Sequence, residues 1–129
     1  MAKRTWRNAK EYTVALSAIY TAVVDAETMW EAEEFAGDQV ENRLKENDVE
    51  EIDTYIIDER ASRWVADEYE IKMKINMVIP VMAFSFRDAW DEAVKHIENI
   101  EMPDGVDLES TAEIDMSLSE DRYLLVKTS

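Results

Sequence analysis

The feature that most constrains the fold of this chain is an internal repeat with an offset of about 57 residues. The aligned identities include Glu11-Tyr12 with Glu68-Tyr69, Ala32 with Ala89, Ala36 with Ala93, and Glu41-Asn42 with Glu98-Asn99. The offset still holds at Ile57-Asp58 and Ile114-Asp115, so the repeat carries no net insertion. A length of 129 residues is typical of one domain. The sequence therefore predicts a single domain made of repeats 6–58 and 63–115, followed by a tail, 116–129.

Each repeat reads as a strand that runs into a helix. Apolar side chains alternate along Val14–Val24 and again along Ile71–Val81, and a period of two predicts strands. Pro80 lacks an amide donor and predicts a break or bulge in the second strand. Thr28 and Ser85 each precede an acid by three residues, the pattern of a helix N-cap. After each cap, alanines four residues apart predict a helix face that lies close to a sheet.

Two consecutive β-α-β units predict an α+β protein with a ferredoxin-like βαββαβ fold. Interleaving the units gives a four-stranded antiparallel sheet with both helices on one face. The long apolar strands then lie in the centre of the sheet, and the acidic strands, 49–58 and 106–116, lie at its edges. The segment Arg122–Lys127 predicts a short extra C-terminal strand. The alternative is two units packed side by side, each with its own small sheet. Interleaving is favoured because one sheet then buries both long strands.

Composition restricts the function classes. The net charge is -16, and residues 25–59 hold fourteen acids against two bases, whereas residues 1–24 have a net charge of +3. This charge argues against nucleic acid or an anionic membrane as a direct partner. The absence of cysteine excludes disulfides and thiol chemistry. No apolar run has the length of a membrane span, and we expect a cytoplasmic protein.

No residue set predicts catalysis, a metal site or a cofactor, so we do not expect an enzyme. His96 is the only histidine, and its place beside Ile97 predicts a polar residue at the boundary of the core. Asp104, Asp107 and Glu109 fall within six residues, but they lack the spacing and the flanking helices of a calcium loop. They predict a solvated turn.

Two surfaces are candidates for binding. The first is acidic and is predicted to contact a basic protein partner; it comprises Glu31, Glu34, Asp38, Glu41, Glu50, Glu51 and Asp53. The second is apolar and lies on the sheet face away from the helices, where a homodimer would form; it comprises Ile19, Val23, Val78 and Met82. The aromatic residues are assigned to the core, with Trp6 and Trp64 as lids at its ends and Trp30 and Phe35 beside the helix stripes.

The strand-to-helix phrase Val-x-Ala-x-Ser/Thr-x-x-x-Ala-x-x-x-Ala occurs at Val24–Ala36 and Val81–Ala93. It resembles a phrase of small uncharacterised bacteriophage accessory proteins, and the resemblance implies a host-cytoplasm location. We expect a non-enzymatic inhibitor that occupies the basic, nucleic-acid-binding surface of a host protein, as a nucleic-acid mimic. The alternative is an oligomeric structural or small-ligand-binding protein that uses the open face of its sheet.

Overall fold

The structure is a computed structural model that describes residues 9–113 and 126–128. The elements follow one another along the chain as β1 (Lys10–Asp25), α1 (Met29–Lys45), β2 (Glu50–Ala61), β3 (Glu68–Ala83), α2 (Phe86–Asn99), β4 (Val106–Glu113) and β5 (Val126–Thr128). The strands form one sheet in the order β2-β3-β1-β4, with antiparallel neighbours. The protein is therefore α+β, with a four-stranded antiparallel sheet and two helices, consistent with a ferredoxin-like fold.

The two long strands pair as predicted. β1 and β3 are adjacent and antiparallel in continuous register, from Lys10 beside Ala83 to Asp25 beside Glu68. The predicted break at Pro80 is wrong, because Pro80 lies opposite Thr13 with no shift of register. β2 ends its pairing with β3 at Val78, so the missing donor of Pro80 falls where β3 has no second neighbour among the described strands.

Part of the predicted C-terminal strand falls within the described residues. Residues 122–125 lie outside the described part of the chain, and Val126–Thr128 forms β5. β5 pairs antiparallel with Glu11–Thr13, in line with β4 along the same edge of β1.

One core joins the sheet to both helices. Alternate residues of β1 and β3 face this core, among them Leu16, Tyr20, Met73 and Ile75, and all four are fully buried. The paired alanines of the helices, Ala32, Ala36, Ala89 and Ala93, are also fully buried. Small side chains at these positions let each helix lie close to the sheet, as the sequence predicted.

Both predicted helix caps are present. Thr28 and Ser85 have extended backbones, and their hydroxyl oxygens accept hydrogen bonds from the backbone N–H of Glu31 (3.1 Å) and Asp88 (3.2 Å). The Glu31 carboxylate accepts a hydrogen bond of 2.9 Å from the backbone N–H of Glu27, the residue before the cap, so it holds the entry to α1 one residue earlier than in a standard capping box.

We expect Thr28→Ala or Ser85→Ala to lower the free energy of unfolding by about 0.5–2 kcal/mol each, because each change removes an acceptor for an otherwise unpaired helix N–H. Urea titration followed by circular dichroism measures the loss. Thr28→Ser keeps the acceptor and is the matched control. Equal stability of the alanine and serine variants at position 28 would contradict the assignment.

Within the described residues, the core contains one polar group without a hydrogen-bond partner. Tyr20 is fully buried, and its hydroxyl has no hydrogen-bond partner among the described residues. Burial also raises the pKa of Tyr20 well above its usual value, because the phenolate would be far from water. The hydroxyl therefore costs stability at neutral pH, and the folded protein resists its ionisation at high pH.

Tyr20→Phe is expected to raise the free energy of unfolding by about 1 kcal/mol at pH 7, because it removes a buried hydroxyl without a partner. A second effect appears in alkali. The folded-state pKa lies above the unfolded value of about 10, so the wild type loses stability as pH rises past 10, and the phenylalanine variant loses less. Denaturant titrations at pH 7 and pH 11 measure both effects. A variant less stable than the wild type at pH 7 would mean that the hydroxyl has a partner.

Candidate functional site: an acidic groove between the first helix and the edge strand

A groove of about 310 Å³ runs between α1 and β2, the strand at one edge of the described sheet. We call it the acidic groove, and we define it by Trp30, Glu33, Glu34, Gly37, Asp38, Glu41, Thr54 and Ile56, with Glu59 next to Glu33. The Thr54 hydroxyl donates a hydrogen bond of 2.6 Å to the Glu41 carboxylate and so ties helix to strand. The walls of the groove are thus fixed by regular secondary structure.

The four predicted acids of α1 have different roles. Glu31 accepts a hydrogen bond from the backbone N–H of Glu27 and Glu41 accepts one from Thr54, so both have structural partners. Glu34 and Asp38 are exposed, and neither has an ion pair or a hydrogen bond within the described part of the chain. They lie four residues apart on a helix and therefore repel each other. These two are the α1 acids available to a partner.

Two further acids meet across the groove. The carboxyl groups of Glu33 on α1 and Glu59 on β2 lie beside each other, and hydrogen bonding to Glu33 raises the pKa of the Glu59 carboxyl. Desolvation and the negative charges of Glu33 and Asp58 act in the same direction. Neither residue was in the predicted site. Because they lie on different elements, only the packing of α1 on β2 brings them together.

The groove also presents apolar surface. Trp30 is 69% exposed and Ile56 is 38% exposed, and both line the groove. The assignment of Trp30 to the core is wrong, and so is that of Phe35, which is 41% exposed. The buried alanines of α1 occupy the face toward the sheet, which leaves the aromatic rings on the outer faces of the helix.

The predicted acids of β2 face elsewhere. Glu50 and Asp53 lie opposite Val78 and Asn76 of β3, on the sheet face away from the helices. Glu51 lies between them in an irregular stretch of the strand, with a positive φ of 48°. The seven acids therefore lie on both sides of the sheet edge, and of them Glu34, Asp38 and Glu41 line the acidic groove.

The predicted apolar face is also divided. Val78 is buried, at 2% exposure, and Ile19 is half-buried opposite Lys74. Val23 and Met82 are exposed but lie near opposite ends of the β1–β3 pair, beside Glu70 and Glu11. A strand rises about 3.3 Å per residue, so roughly 40 Å separates these two ends.

Charged side chains occupy the space between those ends. Lys72 pairs with Glu109 at 3.4 Å, and Glu109 also accepts a hydrogen bond from the Thr21 hydroxyl. That hydrogen bond, followed by the charge of Lys72, lowers the pKa of the Glu109 carboxyl. Hydrogen bonding from Arg60, at 3.1 Å, lowers the pKa of Asp58 in the same way. The stability that these two acids contribute is present at neutral pH and is lost as pH falls through their lowered pKa values.

A larger cavity, of about 570 Å³, lies where the β2–β3 hairpin meets Val23. Trp64 lines it and is 90% exposed, so its prediction as a lid over the core is wrong; Trp6 lies outside the described residues. The backbone N–H groups of Trp64 and Val65 both donate to the Ser62 hydroxyl at 3.1 Å. This turn holds the indole away from the core.

The single histidine is a packing residue in this structure. His96 is half-buried, and its Nε2 lies at hydrogen-bond distance from the Asn47 carbonyl oxygen, which can only accept, so Nε2 carries the hydrogen. The contact joins α2 to the loop after α1. Within residues 9–113 and 126–128, no three His, Asp or Glu side chains are grouped to hold a metal ion.

No family model matches the sequence, and no curated protein matches it significantly. Neither α1 nor α2, the helices of the described residues, is long and apolar enough to cross a membrane.

Proposed function

We propose that this chain is a non-enzymatic acidic binding protein that places its α1–β2 groove on a basic surface of another protein. Its scaffold in this proposal is ferredoxin-like and made of two β-α-β repeats. One observation carries the proposal: Glu34 and Asp38, which have no partner within the described part of the chain, line a groove with the exposed Trp30, and Glu33 and Glu59 place two more carboxyl groups beside each other there. Acids so close to one another are stabilised when a cation binds between them.

The chemistry of the groove defines the partner. Clustered carboxylates repel phosphates and attract Lys and Arg, so the partner is a basic protein rather than nucleic acid. An exposed indole next to carboxylates suits a guanidinium, which stacks on the ring while it pairs with an acid. Basic surfaces of this kind are typical of nucleic-acid-binding proteins. The chain would then occupy such a surface in place of nucleic acid.

The phage-like strand-to-helix phrase supports a specific setting. In this proposal the protein acts in the cytoplasm of a bacterial host and inhibits a host nucleic-acid-binding protein. The net charge of -16 supports rapid, long-range association with such a target.

A displacement experiment tests the proposal. Bacterial lysate is loaded on DNA-cellulose at low salt and eluted with the chain, and polyglutamate at equal total charge is the control for nonspecific competition. We expect the chain to release a discrete protein that polyglutamate does not release, and added DNA to compete for that protein. Their association should weaken steeply with salt, since the screening length falls from about 10 Å at 0.1 M to about 3 Å at 1 M. Identical elution profiles for the chain and polyglutamate would contradict the proposal.

A second candidate function rests on the hairpin cavity. Val23, Tyr69 and Ala61 give that cavity apolar walls, and Arg60 and Arg63 also line it. A small ligand or a second copy could use this end of the open sheet face. Light scattering tests the dimer: a mass of twice 15.0 kDa that falls on Val23→Lys substitution favours it, and a monomeric mass at high concentration contradicts it.

A further inference from the structure

A second groove, of about 450 Å³, lies between the end of β3 and the first turns of α2. It exists because β3 is longer than its neighbour: β2 pairs with β3 no further than Val78, so no described strand flanks residues 79–83 on that side. Its walls are Met82, Ala83, Phe84, Asp88, Asp91, Glu92 and Lys95. We call this the α2 groove.

The chemistry of the α2 groove is acidic and apolar. Asp88, Asp91 and Glu92 are exposed along α2 and outnumber the single base, Lys95. Met82 offers an exposed apolar side chain, at 47% exposure, on the strand side. These walls fit a segment that carries several positive charges and a large apolar side chain.

The chain itself supplies such a segment next to the groove. Residues 1–8, outside the described part of the structure, include Lys3, Arg4 and Arg7 together with Trp6, and contain no acid. They lead into β1, whose Lys10 pairs directly with Ala83 in the groove wall. Paired residues on antiparallel strands lie about 5 Å apart, and eight residues reach at most about 28 Å. The segment is therefore anchored beside the α2 groove and cannot reach the far end of β1.

We propose that residues 1–8 dock in the α2 groove of their own chain, with the three bases against the acids of α2 and the Trp6 ring against Met82. The attraction combines opposite charges with burial of an aromatic ring, the most favourable type of side chain to remove from water. Docking covers Met82 and so removes it from the apolar face predicted to form a dimer. The inference does not depend on the acidic groove.

Paramagnetic broadening in the full chain tests this inference. The sequence has no cysteine, so Lys95→Cys places a single nitroxide label in the α2 groove. Asp104→Cys is the matched control, since Asp104 is exposed and precedes Gly105, whose carbonyl bonds to Val23 near the far end of β1. We expect amide signals of residues 2–8 to lose most of their intensity with the Lys95→Cys label and to keep it with the Asp104→Cys label.

Charge reversal separates docking from simple proximity. In the Lys95→Cys background, Asp91→Lys with Glu92→Lys should restore the signals, whereas Glu98→Lys with Glu101→Lys, exposed at the end of α2 and just after it, should not. Circular dichroism verifies that both double variants fold. Equal intensities with the two labels, or no recovery after reversal of Asp91 and Glu92, would overturn the inference. So would broadening that appears only when labelled chains are mixed with isotope-enriched unlabelled chains, since the segment would then occupy a second copy.

Discussion

Replacing Glu34 and Asp38 together by lysine should reduce the affinity for the protein displaced from DNA-cellulose by about 100-fold or more, close to 2.7 kcal/mol of binding free energy. Both carboxylates are exposed and lack partners within the described part of the chain, so the substitution removes two attractions and adds two repulsions. The folded state should keep its stability or gain slightly, because the change also removes a repulsive pair four residues apart on α1. Titration by calorimetry measures the affinity, and thermal unfolding measures the stability.

The matched control is Glu98→Lys with Asp104→Lys. This pair changes the net charge by the same amount but lies at the end of α2 and in the following turn, and both residues are exposed. We expect the control to weaken binding by less than about fivefold, through long-range steering alone. If the two double variants lost affinity equally, the total charge and not the acidic groove would be responsible.

Leu44→Ala and Ile97→Ala should each lower the free energy of unfolding by about 2–5 kcal/mol. Leu44 is fully buried in the last turn of α1, and Ile97 is buried to the same degree near the end of α2. Each truncation leaves a cavity in the single core that both helices share. A loss of this size is a large fraction of the stability of a small domain, so either variant is expected to be partly unfolded at 37 °C.

Ile57→Ala is the control for these truncations. Ile57 is about half exposed on β2, and its truncation should cost less than about 1 kcal/mol. Urea unfolding of the three variants compares the effects directly. A cost below about 1 kcal/mol at either Leu44 or Ile97 would contradict the packing of that helix on the sheet.

The sequence predicts the scaffold well because the signals for it are local. Alternation along Val14–Val24 gives the strand, and the hydroxyl of Thr28 followed by Glu31 gives the helix start; neither needs knowledge of distant residues. The strand pairing follows from the length of the two apolar stretches, since one sheet buries both. The repeat itself remains a prediction from sequence identities.

The assignments that failed concern residues whose surroundings are set by tertiary packing. Trp64 has the large apolar side chain that is typical of a core residue, but it lies exposed in a hairpin turn fixed by the Ser62 hydroxyl. Trp30 was assigned to the core by helical spacing, yet the buried face of α1 is fully occupied by Ala32, Ala36, Val40 and Leu44. Hydrophobicity alone does not separate these two outcomes.

The acidic site could be predicted only in part for a similar reason. Helical spacing places Glu34 and Asp38 together, and both are exposed as expected. Asp53 lies on the sheet face away from α1 because of the register between β2 and β3, which shifts between Glu50 and Asp53. The closeness of Glu33 and Glu59 depends on how α1 crosses β2. Neither arrangement has a signature in the linear sequence.

The most direct test of the central claim is to add the partner to the isotope-labelled chain and to locate the contact surface from the chemical-shift changes. If the acidic groove is the binding surface, the largest changes fall on the indole N–H of Trp30 and the amides of Glu34, Asp38 and Ile56, and they disappear in the Glu34→Lys, Asp38→Lys variant. Changes confined to Thr21, Lys72 and Lys74 on the open sheet face, or to Trp64 at the hairpin cavity, would contradict the claim.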